Sequence, residues 1–285
     1  MPNPSSTFFN KLRQLKHDVL RQYCNFRIQG DDEPYSILWR DRPYRILLIL
    51  SHMRSGSSLL SHLLISNPEI IGYGETHLQY EKEGDFKTLI AKVYERNIYN
   101  LKGANLTGLG MSHRYVLDKV LHNSKFANPS FLTSPNVYAI FLLREPQRTL
   151  PSLLDLKSHW TEKEAIEYYT ERLPVLESYA KLIDDKRRSL FITYEQSLDR
   201  TSEVFAALQN LLGTRQGFSE EYEVLNTTGT KGVGDSKGNI KAGKIVRERR
   251  QINCNVSPEV VERGQQAFDR CAETLSQYCQ TLPSP

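Results

Sequence analysis

The chain has few cysteines, four in 285 residues, and no two of Cys24, Cys254, Cys271 and Cys279 stand in C-x-x-C spacing. That excludes a zinc ribbon and a dithiol redox motif and leaves reduced, structural cysteines as the expectation. Long apolar runs are missing as well. A run such as Ile46–Leu50 is far short of the roughly 18 to 20 residues that cross a bilayer. The N-terminus lacks the uninterrupted apolar stretch of a signal peptide, so the expectation is a soluble, cytoplasmic protein with no transmembrane segment. There is no internal repeat and no low-complexity segment. Nor is there a large charge of one sign, because a net +4 is too small to imply a nucleic-acid partner. Its distribution is uneven: Lys231 to Arg250 holds seven basic residues against Asp235 and Glu248, a local +5 that leaves −1 for the rest. This segment reads either as a solvated basic loop or as a flap that closes over an anionic ligand.

What is present is the material of a globular α/β chain, 39% hydrophobic and 25% charged. One domain is expected over 44–285, preceded by an N-terminal helix and connector over 1–43 packed on it. Phe8, Leu12, Leu15, Val19 and Leu20 fall near helical spacing with Lys and Arg between them, which predicts an amphipathic helix over 7–23. It packs on the domain or touches a membrane surface, and packing is favoured because the strand that follows needs cover on both faces. Beyond the polar connector Gly30–Pro43, strands are expected at Arg45–Leu50, Ile70–Ile71, Tyr115–Lys119, Val137–Leu143 and Leu190–Tyr194. Helices are expected at Gly56–Ser66, Phe86–Tyr94, Gln147–Lys157, Lys163–Ile183 with a kink at Pro174, and Thr201–Leu212. Alternation of this kind predicts a parallel β-sheet flanked by helices.

The strand–loop–helix Arg45–Leu64, RILLILSHMRSGSSLLSHLL, carries the clearest chemistry. N–H groups at a helix start and the positive end of its dipole favour an anion, and Gly56 lets the backbone approach it. Ser55, Ser57 and Ser58 add hydroxyls, and Arg54 adds charge. The loop departs from the nucleoside-triphosphatase pattern G-x-x-x-x-G-K-[ST], with Ser51 in place of the first glycine and Ser57 in place of the lysine. The strand Val137–Leu143 ends in Arg144, where such enzymes usually carry an acidic magnesium ligand. An arginine there suggests a second phosphate site.

These residues resemble the sulfotransferases that use 3′-phosphoadenosine 5′-phosphosulfate (PAPS). Arg54-Ser55-Gly56-Ser57-Ser58 matches the family's [KR]-S-G-[ST]-[ST] motif, which implies that this loop holds the 5′-phosphosulfate with Arg54 beside the sulfuryl group. Arg144-Glu145-Pro146 and Ser152, eight residues after the arginine, match the motif that binds the 3′-phosphate. Tyr194-Glu195 with Leu198 resembles the family's Y-E-[DQ]-L segment, whose tyrosine contacts the adenosine part. Gly234-Asp235-Ser236-Lys237-Gly238 falls where the family places a loop over the cofactor, which implies contacts from Ser236, Lys237 and Gly238. The resemblance covers roughly residues 45 to 215 and implies a P-loop-like sulfotransferase architecture.

In-line sulfuryl transfer is helped by a base that takes the acceptor proton. Tyrosylprotein and several carbohydrate sulfotransferases use a glutamate after the first helix, and Glu75 in Gly74-Glu75-Thr76-His77 falls there. His77 is the alternative base. Asp118-Lys119 resembles a pair in which the lysine stabilises charge on the transferring group, and Arg148, one helical turn after Arg144, reinforces the phosphate site or stays solvated. No metal is expected, because fixed cations take that role, and His52, His62, His113, His122 and His159 have no zinc-like spacing. The expected reaction is transfer from PAPS, as co-substrate, to a hydroxyl acceptor, with a carbohydrate or glycolipid favoured. Two other readings stay open, an ATP- and magnesium-dependent P-loop phosphotransferase and a non-catalytic nucleotide-binding protein of the same fold. Residues 76–114 and 220–250 are expected to line the acceptor pocket.

Overall fold

A computed structural model describes residues 4–98, 110–225, 228, 239–248 and 254–283, with side chains from residue 14 onward. Five strands form one parallel sheet: β1 (Arg45–Ser51), β2 (Ile70–Ile71), β3 (Tyr115–Val120), β4 (Val137–Leu143) and β5 (Ser189–Thr193). Their order is β2-β3-β1-β4-β5, with β1 in the centre. The helices are α1 (Pro4–Gln29), α2 (Ser57–Ile65), α3 (Asp85–Ile98), α4 (Pro146–Leu156), α5 (Glu162–Ile183), α6 (Tyr194–Asp199), α7 (Thr201–Leu212) and α8 (Pro258–Tyr278).

The near-continuous apolar strands have the composition that burial on both faces requires. Alternate residues of β1 enter separate cores: Ile46, Leu48 and Leu50 pack with α3, α5 and α8, and Leu47 and Ile49 with α2 and α7. Cys24 and Ile28 of α1 enter the first of these cores. All four cysteines are free.

One expectation needs correction, and one helix was not foreseen. The α5 helix runs from Glu162 to Ile183 with Pro174 inside it, close to the expected span. Tyr194 does not end β5 but opens α6, because Thr193 caps that helix in a reciprocal box with Gln196. The C-terminal helix α8 was not foreseen. It starts after Ser257 with Pro258 in its first turn, and it buries the small residues Gly264, Ala267 and Cys271 with Leu275. A Cβ added at Gly264 would come 2.7 Å from Pro146 Cβ, so the close approach of α8 to the start of α4 requires glycine.

The strand order places β1 between β3 and β4, and the chain crosses β1 to pass from β3 to β4. The crevice at the carboxyl ends of β1 and β4 is therefore the switch point at which open α/β sheets bind ligands.

Candidate functional site

The loop 52–56 leaves β1 at this crevice. Gly56 precedes α2 with φ +91, in the left-handed region. A Cβ there would also meet the Tyr194 ring at 2.2 Å, so glycine is required by both backbone and packing. No side chain caps the first turn of α2, and its leading N–H groups have no partner within the helix. Arg54 also has a positive φ, +64. Its Nε donates to Ser152 Oγ at 2.7 Å, and Arg144 Nη1 donates to Arg54 O at 3.0 Å. The Arg144 guanidinium lies 4.4 Å from the Tyr194 ring centroid. The structure thus brings together Arg54, Gly56, Arg144, Ser152 and Tyr194. Arg54, which the resemblance places beside the sulfuryl group, is directed to the serine that the resemblance assigns to the 3′-phosphate.

A second cluster sits at the ends of β2 and β3. Lys119 is buried; its Nζ donates to Ser58 Oγ at 3.2 Å and lies 4.0 Å from Glu75 Oε2. Glu75 is buried too, and its Oε1 has His77 Nδ1 at 3.2 Å but no hydrogen-bond partner among the described residues. Burial pushes the Glu75 carboxyl above its ordinary range, with Lys119 opposing the rise, and holds the Lys119 amine below its own, with Glu75 opposing the fall. Asp118 accepts from Thr76 N, Thr76 Oγ1 and Tyr80 OH at 2.9, 2.7 and 2.6 Å, which anchors the residue that follows Glu75. Lys119 therefore serves Glu75 and the Ser58 loop, while Asp118 is occupied by Thr76 and Tyr80. His77 is exposed, with a positive φ of +58.

Several residues that hold the site were not among those read from the sequence. His52 is fully buried, and burial pushes its pKa down to about 3, so it stays neutral. Its Nδ1 donates to Met53 O at 2.9 Å, and its Nε2 accepts from Arg144 N at 3.2 Å. One face of α5 holds the strand ends: Tyr168 OH accepts from Met53 N and donates to Leu121 O, Tyr169 OH donates to Arg144 O, and Arg172 donates to Ser51 O and Val120 O. A sequence signal existed in the polar residues Tyr168, Tyr169 and Arg172 on a buried helix face.

Ser55 and Ser57 are buried in the loop, and Ser55 Oγ and Arg144 Nε have no partner among the described residues. Both are donors at the mouth of a helix start. Arg148 lies on α4, partly exposed. Ser236, Lys237 and Gly238 lie outside the described residues.

No family model matches the sequence, and no curated protein matches it either. Solved structures do resemble the fold. The sulfotransferase domain of the Synechococcus PCC 7002 olefin synthase is 17% identical with a TM-score of 0.45, over 86% of this chain and 98% of that one. Mouse sulfotransferase SULT7A1 complexed with PAP is 13% identical with a TM-score of 0.42, over 89% and 90%. A sulfotransferase from Alicyclobacillus acidocaldarius is 14% identical with a TM-score of 0.43, over 84% and 96%.

Proposed function

We propose that the protein is a sulfotransferase that moves a sulfuryl group from PAPS to a hydroxyl, with a carbohydrate or glycolipid as the acceptor class to test first. The observation that carries this reading is the pairing of two clusters across one glycine-cornered loop. On one side stand Arg54, Arg144 and Ser152; on the other, Lys119 reaches from Ser58 toward Glu75. The orphaned donors Ser55 Oγ and Arg144 Nε fit a ligand rich in phosphate oxygens, and the orphaned acceptor Glu75 Oε1 fits a hydroxyl proton.

PAPS supplies the activated sulfuryl group and a phosphate leaving group. Arg54, Arg144 and Ser152 bind the 3′-phosphate, and the Tyr194 ring closes the nucleotide side of the loop. The α2 start with Ser55, Ser57 and Ser58 orients the phosphosulfate. Lys119 and the helix start face the charge that develops during transfer, in a water-poor site where fixed donors act most strongly. Glu75, seated by the Thr76–Asp118 bonds, accepts the hydroxyl proton at Oε1. A histidine is not needed for that step.

Titration calorimetry with adenosine 3′,5′-bisphosphate and with 5′-AMP tests the nucleotide half. The bisphosphate is expected to bind at least about tenfold more tightly, and Arg144→Ala is expected to erase that preference, since a hydrogen bond to a charged group contributes roughly 1.5–3 kcal/mol. Equal affinity for the two ligands in the unaltered protein overturns the reading. Glu75→Ala should keep bisphosphate affinity while transfer of labelled sulfate to a carbohydrate acceptor falls by about 10²–10⁴.

A further inference from the structure

Exposed apolar surface is concentrated in one place. Seven large hydrophobic residues are exposed among the described residues, and five of them, Leu15, Val19, Tyr23, Phe26 and Trp39, lie on α1 and the connector after it. Steps of four, four and three residues put Leu15, Val19, Tyr23 and Phe26 along one helical face. The Trp39 ring extends that face, 5.8 Å from the Phe26 ring. The other side of α1 is already occupied: Cys24 and Ile28 are in the core, and Arg27 is buried.

Trp39 is held outward at a cost. Its φ is +60, a conformation uncommon for a bulky residue, and its side chain is nonetheless 70% exposed. The buried Arg27 fastens this turn, donating Nε and Nη2 to Leu38 O at 3.0 and 2.9 Å and Nη2 to Trp39 O at 3.3 Å. Strained backbone that the surroundings enforce is a mark of functional positions. Here it presents an indole to solvent beside a row of apolar side chains.

The charge of the helix selects the occupant. Apart from the buried Arg27, its sequence has four basic residues, Lys11, Arg13, Lys16 and Arg21, against the single acidic Asp18. A second copy of the chain would bring two such helices together and meet like charge. An anionic bilayer complements both properties, because aromatic rings settle at the headgroup level and Lys and Arg reach the lipid phosphates. We propose that the Leu15–Phe26 face of α1, with Trp39, is a docking surface for an anionic lipid bilayer. The opposite side of α1 connects to the candidate site. Lys87 of α3 donates to Ile28 O at 3.1 Å, and Lys92 of the same helix donates to Thr76 O at 2.7 Å, next to Glu75. The inference does not depend on the nature of the transferred group.

The test uses the full chain and vesicles of phosphatidylglycerol with phosphatidylcholine, against phosphatidylcholine alone. The protein is expected to co-sediment with the anionic vesicles and to be released by salt. Trp160→Phe leaves Trp39 as the remaining one of two tryptophans, and its emission should shift to the blue on binding. Phe26→Ser/Trp39→Ser should lower partitioning at least about tenfold. Leu15→Ser/Val19→Ser, which touches neither Arg27 nor its turn, should lower it as well and guards against a folding defect in the first pair. The proposal is overturned if the unaltered protein leaves anionic vesicles in the supernatant, or if both double variants bind as it does. Light scattering that shows a dimer which these variants make monomeric also overturns it, in favour of a second copy on this face.

Discussion

Asp118 and Lys119 are neighbours in β3, and successive strand residues point to opposite faces of the sheet. The carboxylate is thereby committed to Thr76 and Tyr80 and the amine to Ser58 and Glu75. The D-K dipeptide is visible in the sequence, but its division of labour is not, because a simple ion pair between the two fits the spacing as well. In its proposed role as base Glu75 acts only as the carboxylate, and burial raises its pKa above the ordinary glutamate range. Activity should therefore climb with pH through an acid limb displaced upward from that range. Lys119 works against the displacement, so Lys119→Met should move the limb to still higher pH while cutting kcat by about 10²–10³ through loss of a fixed donor. A pH profile of kcat/KM for both proteins checks this. A limb that stays put or moves to lower pH separates Lys119 from Glu75.

At the level of elements, α5 is the part whose importance the sequence conceals. It reads as a helix kinked at a proline, yet Tyr168, Tyr169 and Arg172 hold the carboxyl ends of β1, β3 and β4 in place. These are long-range contacts to backbone atoms, which leave no mark on local periodicity. The Tyr168 hydroxyl is the clearest case, since it satisfies Met53 N in the loop after β1 and Leu121 O beyond β3 together. Tyr168→Phe removes one oxygen and leaves two backbone groups unpaired. The expected cost is about 1–3 kcal/mol in thermal or denaturant unfolding. The Michaelis constant for the nucleotide should rise more than kcat falls, because the loop loses its position while Glu75 keeps its Thr76–Asp118 anchor. A loss confined to kcat contradicts this assignment. The proximity of the two candidate phosphate motifs, by contrast, is legible in the sequence. Gly56 and Arg144 sit at strand ends where chain direction alone brings them together, and the structure places them around the Tyr194 ring.

Over the whole molecule, strand positions follow from the apolar runs, because burial on both faces leaves little room for polar residues. The helix α8 was missed although the sequence signals it: Pro258 follows Ser257 at its start, and Gly264, Ala267, Cys271 and Leu275 share its buried face. It braces the start of α4, where Pro146 follows Arg144 by two residues. The candidate nucleotide site joins elements from both cores, with α2 on one side and α4 and α5 on the other. A ligand that fastens these parts together binds the folded state alone, so it should stabilise the whole chain by mass action. At a hundredfold excess over Kd the gain is about 2.7 kcal/mol. For a chain of this size each kcal/mol moves Tm by roughly 2 °C. Adenosine 3′,5′-bisphosphate should therefore raise Tm by about 5 °C in differential scanning calorimetry, and 5′-AMP at the same concentration should raise it less. Arg144→Ala should bring the two shifts together. If the bisphosphate and the monophosphate stabilise the unaltered protein equally, the Arg54–Arg144–Ser152 cluster does not hold a 3′-phosphate.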